Sequence, residues 1–449
     1  MKVRTTLLGA TLLVMATGQC FGAELQRLTL GEAIARGLKL NNQVRAAGFQ
    51  AEAARAGATA ASLHYLPSVT VEEAWSRSNV PVNTFMMKLN QGRFTDSDFK
   101  TSSLNNPSPV SDFRSQVTVE QPLLAPAAWA GQRVAGRGAE RQEALTQQAR
   151  EQIAFQVFQL YLEVKRAKAY LKAADQAVED ARESRRQAVV RTRAGMGLKS
   201  DELRADTQLA AMEQQAITAA DNLTLARMQL ALVTGGESGS EVDAGGAVVF
   251  NLPAQKPDQL LQLALQQRQD LLAAERGKEQ ADAALLQVRA GFLPTMGAFG
   301  SWQMNDHTTP FSREHDAWMA GVSLRWNLFD GFRTWNGSGQ ARAARNAAAE
   351  MVEATRKEVD YQVREALLRS READKRLQVA RAAVASAEEA TRILSKRFDN
   401  ALATMLELLD AQSALNQARA NLVESESAQL LAVGKVYYRA GLFLKEVQQ

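Results

Sequence analysis

The chain has 449 residues, 46% of them hydrophobic but only 6% aromatic, with 53 basic against 49 acidic residues and a net charge of +4. Mean hydropathy is −0.26, and no apolar run after residue 16 approaches the ~20 residues of a spanning helix, which excludes a helical multispan membrane protein. One cysteine excludes a disulfide-stapled domain, the mild charge gives no reason to expect nucleic acid, and three histidines leave little material for a metal site. No cofactor is expected.

In chain order, Lys2 and Arg4 precede an apolar run from Leu7 to Ala16 and small residues through Ala23. That is the layout of a secretory signal over residues 1–23. Cys20 invites a second reading as the lipidated first residue of a lipoprotein, but bulky Gln19 stands where a small residue is needed. Either way the protein is exported.

The chain is then written twice. His64-Tyr65-Leu66-Pro67-Ser68 aligns with Gly291-Phe292-Leu293-Pro294-Thr295, and Trp75 with Trp302. After a longer insertion in the first copy, an offset of 206 brings Arg191 onto Arg397, Leu203 onto Leu409 and Gly235 onto Gly441. Repeat 1 spans 24–235 and repeat 2 spans 257–441, with a Gly/Ser-rich linker at 236–256 and a tail at 442–449. The linker is expected to be a flexible connector, because no lysine follows a glycine pair there as a phosphate loop requires.

Each copy reads helix, strand, strand, helix, helix. Strands are expected at about 67–78, 112–123, 294–304 and 316–328. Their apolar and polar residues alternate over lengths typical of membrane barrel strands. Trp75, Trp302, Trp318 and Trp326 lie inside these segments and Trp129 and Trp335 just beyond them, as interfacial girdles use tryptophan. Four strands cannot close a barrel, so the chain must oligomerise. Two copies would give a filled bore, whereas three give twelve strands and a channel, which the polar inner faces favour.

Helical hairpins are expected at about 127–234 and 331–440. Val359, Val363, Ala366, Ser370, Ala373, Leu377 and Ala380 begin a heptad seam that continues to Phe398, and Leu160–Ala181 repeats it in the first copy. The many alanines predict close helices and no thick core. Each long helix should span about 100 Å, matched by two half-length helices end to end. The fold class is therefore mainly α with a β-barrel part.

These features, with Lys88-Leu89-Asn90-Gln91-Gly92-Arg93-Phe94, Leu104-Asn105-Asn106-Pro107, Glu120-Gln121-Pro122-Leu123 and Glu407-Leu408-Leu409-Asp410-Ala411, resemble the TolC family of outer-membrane efflux proteins. The resemblance implies a homotrimer with a barrel in outer-membrane lipid and a helical tunnel through the periplasm. It implies a passive duct for tripartite efflux or type I secretion, not an enzyme, with a periplasmic adaptor and an inner-membrane pump as partners. Glu407, Asp410 and Asp201 fall on the family's aperture carboxylates, and Phe398 and Ala403 replace a Tyr and an Arg that form a latch in some members. The hairpin tips Gly195, Gly197, Leu198 and Lys199, with Ala401, Ala403 and Thr404, are the expected adaptor contacts. A periplasmic adaptor or a structural coiled coil without a channel is the alternative reading. The outer-loop residues Glu314, His315, Asp316, Asp306 and His307 could catch a divalent ion, and Met86-Met87 a soft metal. Loop polarity and packing explain both more simply.

Overall fold

A computed structural model describes residues 26–313 and 315–447. The expected signal segment, Cys20 included, lies outside the described residues. Repeat 1 contains β1 (Gln26–Leu28), α1 (Leu30–Leu40), α2 (Asn42–Ser62), β2 (Ser68–Ser78), α3 (Pro81–Asn90), α4 (Thr101–Asn105), β3 (Val110–Leu124), α5 (Pro126–Arg193) and α6 (Lys199–Val233). After β4 (Val242–Ala244), repeat 2 contains α7 (Pro257–Gln267), α8 (Gln269–Arg289), β5 (Thr295–Asp306), β6 (Asp316–Arg325), α9 (Arg333–Asp399) and α10 (Met405–Arg439). A short α11 (Phe443–Val447) follows.

The long helices α5 and α9 have 68 and 67 residues, hence about 100 Å each. Along α5 pack α2 and then α6; along α9 pack α8 and then α10. The expected seam residues from Val359 to Ala380 are buried. Each half-length partner breaks where its neighbour ends. Asn41 leaves the helical backbone between α1 and α2, and its Nδ2 donates to Val233 O at the end of α6, 3.0 Å away. Arg268 does the same between α7 and α8, its Nη1 donating to Arg439 O at the end of α10, 3.4 Å away. A side chain thus satisfies a carbonyl that the last helical turn leaves free.

The four long strands form one antiparallel sheet in the order β2-β3-β5-β6. Registers such as Val71↔Val117, Val117↔Trp302 and Trp302↔Trp318 put the apolar residues on one face. The opposite face carries Glu72, Gln116, Gln303 and Ser323. β2 and β6 each have a free edge within the chain.

Two expectations change. A thick core does exist, halfway along the helices. There Phe155 stacks on Tyr438 at 4.4 Å and meets Phe443 edge-on at 5.4 Å, while Phe158 packs against Phe250 at 5.2 Å. Its rings come from α5, α10, α11 and the linker, so no single seam announces it. The linker is also not a plain connector: β4 pairs in parallel with β1. Asp243 of β4 is 0% exposed and accepts from Lys168 Nζ at 3.0 Å and Arg227 Nε at 3.4 Å. Below it, Tyr161 Oη lies within hydrogen-bonding reach of Gly245 O and of Leu28 O, the latter at 3.2 Å.

The β1–β4 pair and the aromatic rings form a collar around the helices. Beside Tyr438, where α7 gives way to α8, burial pushes the Glu151 carboxyl up to about 7, with Asp270 adding to the shift and Arg268 and Lys445 opposing it. An unfolded glutamate titrates near 4.3. The folded chain therefore holds this proton more tightly, and stability falls as pH rises through roughly 4.5 to 7. Glu151→Gln is expected to stabilise the collar by about 1–3 kcal/mol at pH 8 and by little at pH 4. Thermal melts of the purified protein at the two pH values check this.

Candidate functional site

At the end farthest from the sheet the two hairpin tips lie together. Each long helix ends in the same left-handed turn. Gly195 (φ 72°) and Ala401 (φ 59°) occupy equivalent positions, and Met196 N and Leu402 N close the turns on Arg191 O and Arg397 O at 2.9 and 2.7 Å. Glycine adopts this backbone freely, whereas Ala401 does so at a cost of about 1–2 kcal/mol. Gly197 lies in the same turn as Gly195.

The next helices start differently in the two copies. Thr404 caps α10, and the Glu407 carboxylate reaches back to accept from Thr404 N at 2.7 Å and Thr404 Oγ1 at 2.9 Å. The equivalent cap of α6 is Leu198, which makes no side-chain cap bond. Leu198 is exposed, as are Met196 and Leu402. Lys199 Nζ pairs with Glu202 at 2.7 Å on the surface.

Between the tips, Phe398, Met405, Leu408 and Leu409 bury against Ala188 and Ala205, with Ala403 at the edge. Phe398, expected at the aperture, is 6% exposed in the single chain and packs where the two hairpins meet. The Arg191 guanidinium lies over its ring, 4.4 Å from the centroid, and Arg191 Nη1 donates to Phe398 O. Such a contact is worth about 0.5–2 kcal/mol. The repeat offset aligns Arg191 with Arg397 but gives no hint of Phe398 as its partner, since residues 207 apart on two helices carry no periodic signal.

Glu407 and Asp410 lie on the exposed side of the first turns of α10, and Asp201 is half-buried in the first turn of α6. Hydrogen bonds from the Thr404 backbone and hydroxyl, and then the Arg397 charge, hold the Glu407 carboxyl below the usual range. It is therefore ionised through neutral and mildly acidic pH.

At the opposite end, the tryptophans fall into two rows. Trp75, Trp302 and Trp318 lie toward the outer ends of the strands; Trp326 follows β6, and Trp129 and Trp335 stand in the first turns of α5 and α9. Trp318 and Trp326 are eight residues apart, about 26 Å of extended chain, or roughly 20 Å of height at the ~40° tilt of barrel strands, most of the ~25 Å apolar band. Trp302 Nε1 donates to Asp316 at 2.8 Å, and Trp326 Nε1 to Phe292 O at 3.0 Å. The loop residues considered as ion ligands are engaged locally. Asp306 accepts from Thr308 N and Thr309 N at 2.6 and 3.0 Å, and His315 packs on Gly92. Glu314 lies outside the described residues. Met87 is half-buried and Met86 exposed. No described helix is long and apolar enough to cross a membrane.

Residues 33–236 and 260–441 match the outer membrane efflux protein family. The chain belongs to the outer membrane efflux protein family. The two matched stretches are the two repeats, separated by the β4 segment. The chain is 26% identical to the outer membrane protein TolC of Vibrio cholerae over 306 residues, 66% of this chain and 68% of the relative. Its fold resembles the Campylobacter jejuni CmeC outer membrane channel, with a TM-score of 0.80, 18% identity and 94% and 89% of the two chains covered. The outer membrane protein VceC of Vibrio cholerae gives a TM-score of 0.78 at 18% identity, covering 92% and 96%. The protein is an outer-membrane efflux channel, located in the bacterial outer membrane and extending into the periplasm.

Proposed function

We propose that three copies join the free edge of β2 on one protomer to that of β6 on the next. Twelve strands then close a barrel in outer-membrane lipid, and the paired helices continue it as a periplasmic tunnel. The carrying observation is the four-stranded sheet with two open edges and an exposed apolar face between tryptophan rows, because unpaired strand edges are not tolerated in hydrocarbon. The duct converts no substrate. Its energy comes from an inner-membrane pump, reached through a periplasmic adaptor, in tripartite efflux or type I secretion. Mass measurement in mild detergent should give trimers, with stepwise ion conductance in planar bilayers. A stable, monodisperse monomer overturns the reading.

The hairpin tips are the adaptor's grip. Leu198 supports this, since an exposed leucine stands where the sister copy has a capping threonine, so helix stability yields there to something else. Leu198→Thr is expected to stabilise α6 by about 1 kcal/mol. It should weaken adaptor binding on the order of tenfold, as loss of an apolar anchor does. Surface-immobilised trimers titrated with adaptor measure this, and unchanged affinity removes Leu198 from the contact. The narrow end of the duct is lined by Glu407 and Asp410 of three chains, with Asp201 nearby. Arg191 over Phe398 takes the place of the Tyr and Arg latch that this chain lacks.

A further inference from the structure

The first outer loop has a use that the duct does not require. It leaves β2 at the sheet end opposite the helices and begins with α3. The residue after α3, Gln91, is 1% exposed, although it is polar and lies in a surface loop. Its Nε2 donates to Ser111 O and to Asp112 Oδ1, both at 2.8 Å. Asp112 Oδ2 accepts from Asn305 Nδ2 at 2.9 Å, and both residues are buried. Asp112 lies two residues from Arg114, which pairs with Ala74 and Asn305 on the polar face of the sheet. The anchor therefore fixes α3 over the face that closes on the pore and away from the lipid face.

Further contacts hold the helix. Thr84 Oγ1 donates to Ser78 O at 3.1 Å, Lys88 pairs with Asp98 at 2.6 Å, and Phe85, Phe94 and Phe99 form an edge-to-face stack. Gly92, at φ 59°, makes room for the His315 ring of the second outer loop; any Cβ there would lie 2.3 Å from it. Both outer loops thus lock α3 in place.

The other side of α3 is apolar and bare. Val82, Met86 and Leu89 stand at i, i+4 and i+7 and are 71%, 49% and 44% exposed. The helix is pinned on the polar side of the wall, so this stripe lies away from the apolar face of the sheet. Val80, Phe99 and Phe311 are further exposed apolar residues of the outer loops; around a trimer axis the same stripes of the other copies stand opposite this one.

We propose that α3 is an outer stopper: in the trimer, the Val82, Met86 and Leu89 faces of three copies meet across the axis and close the mouth of the barrel by an apolar constriction. Such a constriction excludes water and ions without charge or hydrogen bonds. The Gln91–Asp112–Asn305 anchor sets its position. The proposal rests on the trimeric reading above.

The test uses the full chain in the outer membrane of a Gram-negative host, with Cys20→Ser and Gln116→Cys, a thiol on the pore face below α3. A bulky, membrane-impermeant maleimide is applied from outside, so the periplasmic aperture does not influence the rate. Val82→Ser, Met86→Ser and Leu89→Ser together should raise labelling on the order of tenfold, the signature of an opened apolar gate. Separately, Met86→Cys in the Cys20→Ser chain should crosslink between protomers under mild oxidation, whereas Val322→Cys on the lipid face should not. Equal labelling rates with and without the serines, or no crosslink through Met86→Cys in intact trimers, overturn the stopper. A monomer in detergent overturns the trimeric reading and the stopper with it, and detergent mass separates these failures.

Discussion

Replacing Asp243 by Ala is expected to lower stability by about 3 kcal/mol, the range seen when one partner of a buried ion pair is removed. Its side chain is 1% exposed and gathers Lys168, Arg227 and, at 3.7 Å, Arg27 around two oxygens. Burial alone would raise its pKa. The Lys168 hydrogen bond and the Arg227 and Lys168 charges outweigh that and leave it lowered. A lowered carboxylate stabilises the folded chain above about pH 4, and the contribution is lost as pH falls through its folded value. Asp243→Ala should therefore narrow the stability difference between pH 7 and pH 3. It should also release β4 from β1 and expose the linker to protease. Denaturant unfolding at both pH values, with limited proteolysis mapped by mass, checks both effects. If the variant unfolds as the parent does and the linker stays intact, the collar is held by the aromatic core alone.

Removing charge from Glu407 and Asp410 is expected to lower the cation-over-anion permeability ratio on the order of tenfold, as focused fields in narrow openings permit. Block by multivalent cations from the periplasmic side should weaken in parallel. The geometry selects the replacements. Glu407 belongs to the capping box of α10, and a glutamine can keep those bonds while losing the charge. The variant is therefore Glu407→Gln with Asp410→Asn. The control, Glu72→Gln with Glu120→Gln on the pore face of the sheet, should change little. In the proposed twelve-stranded bore those charges would stand farther from the axis, and the screening length is about 10 Å at 0.1 M salt. Single channels inserted in one orientation give both readouts. Unaltered selectivity and block in intact trimers would reduce the two carboxylates to ordinary helix-surface charge.

Much of this protein was legible in its residues. The duplication showed in phrases at constant offset. The sheet showed in period-two alternation with tryptophans at its rims, and α9 in a seam that runs from Val359 to Phe398. Each signal is local or periodic, because it records one face of one element meeting one environment. The equivalence of Gly195 and Ala401 also followed from the offset, although the left-handed backbone they share did not. Tertiary structure alone decided what joins distant segments. Asp243 read as one charge in a polar linker until β4 lay beside β1 and three cations surrounded it. Phe398 ended the seam as the residue standing in place of a latch tyrosine, and its partner, Arg191 of the other hairpin, appeared only in the folded chain. Gln91 stood in a recognised phrase, but its burial depended on Asp112 and Asn305, 21 and 214 residues away. Periodicity reveals which face of an element is apolar; it carries no record of which remote side chain will satisfy a buried polar group, since that match exists only once the chain has folded.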